Sequence, residues 1–141
     1  MRRIVLASHG ELAKGMIDSV SFICGSYVKE MLHAECLQAA EDTNQLFIKY
    51  EKKIKENPND NFVFITDIFG GSVNTAFMQT LAYPNVELIS GMTMAIVIEV
   101  VLNQCDGKIG RETMERVLNE AKESINYYDS LPNAGELNRD F

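Results

Sequence analysis

Histidine, cysteine and proline are scarce in this 141-residue chain, at two, three and three copies. Cys24, Cys36 and Cys105 are odd in number, widely spaced and without a C-x-x-C pair. That excludes a disulfide framework and a cysteine zinc site, and leaves three small apolar residues in a reducing compartment. With only His9 and His33 there is little nitrogen to hold a metal, so neither a metal nor another cofactor is expected. Basic blocks are missing as well. Thirteen Lys+Arg against twenty Asp+Glu give a formal charge of −7, a poor composition for binding nucleic acid. The longest apolar run, Met94 to Leu102, is interrupted by Glu99 and is too short to span a bilayer. The opening MRRIVLASHG turns polar before a signal-peptide core could form. Membrane insertion and secretion are therefore not expected, and a cytoplasmic location is. Repeats, low-complexity tracts and Pro- or Ala-rich linkers are also absent.

What is present is a globular composition, 46% apolar and 23% charged, in a chain long enough to bury a core without a staple. We expect one domain over residues 1–131 and a loose tail over 132–141. Strand-like and helix-like segments alternate. Arg3 to Ala7 is a short β-branched run, ended by Ser8-His9-Gly10. Helical spacing follows at Leu12, Met16, Ile17, Val20 and Ile23, and Gly25 stops it. A strand is read over Met31 to Cys36. Leu46, Phe47, Tyr50 and Ile54 mark another helix, with Glu51 four residues before Lys55. Phe62 to Thr66 reads as a strand buried on both faces. Ser72 is the expected cap of a helix whose core face is Val73, Ala76, Phe77 and Leu81. Val86 to Ile89 is a further strand, Met94 to Leu102 a buried helix, and Met114, Val117, Leu118, Ala121 and Ile125 the stripe of a last helix. This order implies an α/β fold, a mainly parallel sheet with helices on both faces.

In such a sheet, ligands sit beyond the carboxyl ends of the strands. Two of these ends carry unusual residues, Ser8-His9-Gly10 and Asp67-Ile68-Phe69-Gly70-Gly71-Ser72. If the two strands are neighbours, His9 and Asp67 meet. A carboxylate bonded to one ring nitrogen fixes the tautomer and leaves the other nitrogen as a nucleophile near neutral pH. Gly70, Gly71 and Ser72 supply amides and a hydroxyl at a helix start, a seat for a phosphoryl group. Gly10 is expected to add one more amide. Each piece alone is common: a histidine at a strand end is often only a surface residue, and Asp before Gly-Gly is often only turn chemistry. Their coincidence on one face is what points to phosphoryl transfer. His33, near an exposed strand, reads as structural or solvated. Tyr127 and Tyr128 read as core or interface residues, interface being favoured.

The pieces IVLASHGELAKGM, FVFITDIFGGSVNTAF and VELISGMTMAIVIEVVL resemble the enzyme IIA component of the mannose-type sugar phosphotransferase system, over roughly Met1 to Tyr128. The resemblance implies a histidine phosphocarrier. His9 matches the phosphorylated histidine, which takes its group from the phosphocarrier HPr and passes it to a IIB component during sugar uptake. Asp67 matches the carboxylate that holds that histidine, and Gly71 and Ser72 match the phosphate-contacting loop. Ile68-Phe69 departs from the family's usual pair after the aspartate, and Ile68 has no hydroxyl to offer a phosphate. A homodimer exchanging an edge strand near Ser124 to Asp129 is implied, with IIB on a separate protein. Alternatives stay in view. The fold also serves the phosphoryl-donor subunit of a dihydroxyacetone kinase. A histidine phosphatase needs an arginine where Ser8 stands. A tetrapyrrole chelatase needs a second metal-site histidine. A receiver-like module needs an acidic pair where Ser8 and His9 stand, and a flavodoxin-like nucleotide binder needs a richer phosphate loop.

Overall fold

Successive side chains of Arg2–His9 (β1) point to opposite faces of the sheet. Ile4 and Leu6 enter one core, Val5 and Ala7 the other. Asn61–Thr66 (β3) repeats the division, with Val63 and Ile65 against Phe62 and Phe64. Both faces of the sheet are therefore apolar, and both must be covered by helices. The computed structural model describes residues 1–39, 42–103, 107–133 and 135. Leu12–Cys24 (α1), Val28–Met31 (α2), Met94–Leu102 (α5) and Arg111–Glu123 (α6) supply the first cover. Thr43–Glu56 (α3) and Ser72–Met78 (α4) supply the second. On that second face the Phe64 and Phe77 rings lie 4.3 Å apart, and Tyr50 meets each at 5.4 Å.

Leu32–Leu37 (β2) and Val86–Ser90 (β4) complete a four-stranded sheet of order β2-β1-β3-β4. Every pairing among the described residues is parallel, with Ala7 opposite Thr66 across β1 and β3. The chain leaves β1 towards β2 and later returns to β3 on the other side. The crevice opened by that reversal, beyond the carboxyl ends of β1 and β3, is where an open α/β sheet binds ligands. No helix among the described residues is long and apolar enough to cross a membrane.

The expected elements appear in order, with one short unexpected helix, α2, which takes Met31 from the start of the expected strand, and several apolar positions shift. In α1 the buried stripe is Ala13, Met16 and Val20, while Leu12 and Ile23 are exposed at its ends. Leu81 is exposed and Thr80 buried, because α4 tightens into a 3₁₀ turn over Gln79–Ala82 and the 3.6-residue phase is lost. Ile125 lies beyond the end of α6 and is exposed, so it does not extend that helix's stripe. Ser72 is the first residue of α4 rather than its cap. Gly71 holds the cap position and has no side chain to accept the first helix amides, while the Ser72 hydroxyl lies against the His9 ring. Cys24 and Cys36 are free thiols, whereas Cys105 and most of the 132–141 tail lie outside the described residues.

Candidate active site

Ser8, fully buried, shapes the first loop. Its hydroxyl oxygen accepts the Ala13 amide at 2.8 Å, and the Gly10 amide donates to the Leu37 carbonyl at 2.7 Å. These bonds turn the chain out of β1, with Gly10 in the left-handed region at φ +56°. His9 is left at the mouth of the crevice with 51% of its side chain exposed. Gly10 thus departs from its expected role. Its N–H ties the first loop to β2 and does not face the crevice.

Asp67 follows β3 directly. The carbonyl of Thr66 accepts the amides of Gly91 at 3.0 Å and Met92 at 2.9 Å, which latches the β3 end to the loop after β4. Beneath it the Thr66 hydroxyl donates to Asn74 Oδ1 at 2.7 Å, and the Ser90 hydroxyl donates to the same oxygen. A buried polar group must find partners. Asn74, 2% exposed, finds them on two strands and so fixes α4 against both.

The two loops meet at one carboxylate. Asp67 Oδ2 accepts the His9 backbone N–H at 2.8 Å and lies 2.7 Å from His9 Nδ1, while Oδ1 accepts the Ile68 amide at 2.9 Å. Burial pushes the Asp67 carboxyl up, but the His9 amide, the His9 ring and the Ile68 amide outweigh it and hold it below the ordinary carboxylate range. An ionised carboxylate only accepts, so the proton is assigned to Nδ1 and Nε2 is left as the acceptor. Ser72 Oγ stands 3.2 Å from Nε2 and donates to it.

The glycines between have separate duties. The Gly71 amide donates to the Ile68 carbonyl at 3.3 Å, closing a tight turn with Gly70 at φ +80°, the value a type II turn requires at its third residue. A Cβ on Gly71 would come within 2.8 Å of Ile68 Cγ2 and 3.3 Å of His9 Cε1. Beside Ser72 opens a cavity of about 440 Å³ whose lining includes Thr43, Asn44, Gly70, Thr75 and Gln79, all uncharged. Charge at this end is one-sided. The described residues of the four loops following the strands carry Glu11, Asp42 and Asp67 and no Lys or Arg.

His9, Asp67, Gly71 and Ser72 are therefore together, with Gly70 in the turn that connects them. His33 is remote from them, paired with Glu35 on β2 at 3.1 Å. Sequence reasoning missed Ser8 as the brace of the first loop, and the trio Thr66, Asn74 and Ser90 under the second. A signal existed for one of them, since Asn74 interrupts the core face Val73, Ala76, Phe77.

A family model described as the fructose IIA component of the phosphotransferase system, EIIA-man, matches residues 3–127. The chain belongs to that family. As a mannose/sorbose-type IIA component, it has a part in phosphoryl transfer during sugar uptake. The sorbose-specific EIIA component of Klebsiella pneumoniae is 29% identical over 105 residues, 74% of this chain and 76% of that one. A solved Klebsiella pneumoniae protein assigned to the phosphoenolpyruvate-dependent sugar phosphotransferase system is 32% identical, with TM-score 0.75 over 89% of this chain and 90% of that one. The mannose/sorbose-specific IIA subunit of Enterococcus faecalis, at 20% identity, shares the fold with TM-score 0.73 over 94% of this chain and 97% of its own.

Proposed function

We propose that this IIA component is a histidine phosphocarrier that accepts a phosphoryl group on His9 Nε2 from phospho-HPr and passes it to a IIB component. One observation carries the reading. The His9 ring, half exposed, is held through Nδ1 to an ionised Asp67, while Nε2 meets a hydroxyl. In the forward step the Nε2 lone pair attacks phosphorus in line. The P–N bond to the donor's ring breaks, and its electron pair returns to that ring. The Nδ1 proton stays in place, so positive charge grows on the His9 ring beside the Asp67 carboxylate, which stabilises it. The Ser72 hydroxyl turns from Nε2 to a phosphoryl oxygen, and the amides of Gly70 and Ser72, on either side of the Gly71 amide that closes the turn, take others. Transfer to IIB is the same chemistry with His9 as the donor. No cofactor takes part.

Phosphoenolpyruvate labelled in its phosphoryl group, supplied with enzyme I and HPr, tests this. An acid-labile, alkali-stable label on the chain is the expected result. A labelled HPr beside an unlabelled chain would end the proposal.

Gly71 provides a finer test. Its backbone, at φ −69° and ψ 164°, suits any residue, so Gly71→Ala leaves the fold intact. The added methyl displaces Ile68 and the His9 ring. Misplacing a reacting group by a fraction of an ångström lowers the rate of label uptake by about tenfold. An unchanged rate would mean that Gly71 sets nothing at the site.

A homodimer belongs to the same reading. Ile125, Tyr127 and Tyr128 are exposed on a stretch that forms neither helix nor strand, which supports its pairing with a second copy.

A further inference from the structure

The loop that carries Asp67 also exposes a phenyl ring. Phe69 is 78% exposed and Ile68 59%. Neither position is loose. Ile68 is tied by its amide to Asp67 and by its carbonyl to Gly71, and Phe69 occupies the second position of that closed turn. An exposed aromatic side chain carried on a backbone already held in a closed turn is the form that binding anchors take, because little backbone ordering remains to be done on association. Phe22 is more exposed still, but it lies near the far end of α1. Phe69 is set apart by its place three residues from Ser72 and two from Asp67, the two side chains that touch the His9 ring.

The surroundings say what fits over it. The described loop residues at this end are negative or neutral, Glu11, Asp42 and Asp67 being the charged ones, with no cation among them. A partner that brings a phosphoryl dianion here must supply the positive charge itself. Electrostatic complementarity then calls for an apolar patch rimmed by Lys and Arg around the donor's phosphohistidine.

We propose that Phe69 is the anchor through which this chain seats its protein phosphoryl donor, its ring entering an apolar patch on a basic-rimmed face of that donor. This rests on the carrier role proposed for His9. The anchor acts on docking and leaves the chemistry at Nε2 untouched.

Two donors separate these effects. Phospho-HPr must dock, whereas phosphoramidate is small enough to reach His9 without docking. With phospho-HPr, Phe69→Ser is expected to raise KM at least about tenfold and leave kcat within about twofold. Its labelling of His9 by phosphoramidate, mapped by peptide mass spectrometry, stays at the wild-type rate. Phe69→Leu recovers most of the loss, and Phe22→Ser changes neither donor's kinetics. If Phe69→Ser slows both donors alike, the residue shapes the site and anchors nothing. If its KM for phospho-HPr equals that of wild type, the anchor is overturned alone. If wild type is labelled by phosphoramidate and refused by phospho-HPr, the carrier reading fails and takes the anchor with it.

Discussion

His9→Ala is expected to take up no phosphoryl label from phospho-HPr, a loss of at least about 10⁴-fold, because the nucleophile itself is gone. The protein should otherwise be unharmed. The ring is half exposed, and Asp67 keeps two backbone partners, the amides of residue 9 and Ile68. The carboxylate is therefore not orphaned, and the melting temperature should stay within about 3 °C of wild type. His33→Ala is the companion measurement. That ring is bonded to Glu35 away from the crevice, and its removal should leave the label in place. A phosphorylated His9→Ala variant would move the chemistry to another side chain and dissolve the account of Asp67 and Ser72 given above.

The contrast between these histidines is legible in the sequence, and the reason is topological. A residue just past a parallel strand lies at the ligand-binding end of the sheet wherever the strand sits. His9 and Asp67 both announce themselves in this way, since RIVLA and FVFIT are unmistakable buried strands. Their contact depended on β1 and β3 being neighbours, which alternation suggests and register completes by setting Ala7 against Thr66. Less was visible where a side chain's duty is set by a partner far along the chain. Ser72 reads as a helix cap by local chemistry, yet its hydroxyl turns to a ring 63 positions away. Gly10 reads as a free amide, yet the Leu37 carbonyl claims it. Asn74 joins Thr66 and Ser90 across two strands, a meeting that no local pattern encodes. Leu81 and Ile125 were misplaced for a different reason. Helical phase was extrapolated past points where α4 tightens and α6 stops.

Asp67→Asn is expected to slow phosphoryl uptake by about 10²-fold while keeping the site assembled. The geometry fixes how the amide must sit. Oδ2 serves two N–H donors of His9, and Oδ1 serves one, from Ile68. An asparagine therefore keeps its oxygen towards His9, where it satisfies two donors, and turns its NH₂ towards the Ile68 amide, losing one bond. In that orientation Nδ1 still carries the proton and Nε2 remains the nucleophile. What disappears is the negative charge beside a ring that becomes positive during transfer, so the measured loss isolates that charge. A fall nearer 10⁴-fold would mean that the amide turned the other way and the tautomer was lost, as when an orienting aspartate is replaced in a catalytic triad. A loss of threefold or less would remove Asp67 from the mechanism. Stability gives an independent reading. Asp67 is held below its ordinary pKa, so its folded-state contribution is complete above the unfolded value, near pH 4, and is lost as pH falls through the depressed native one. The asparagine variant has no such titration. Wild type should accordingly be the more stable protein at neutral pH, and the gap should close only on acidification below about pH 4, which chemical denaturation across that range would reveal.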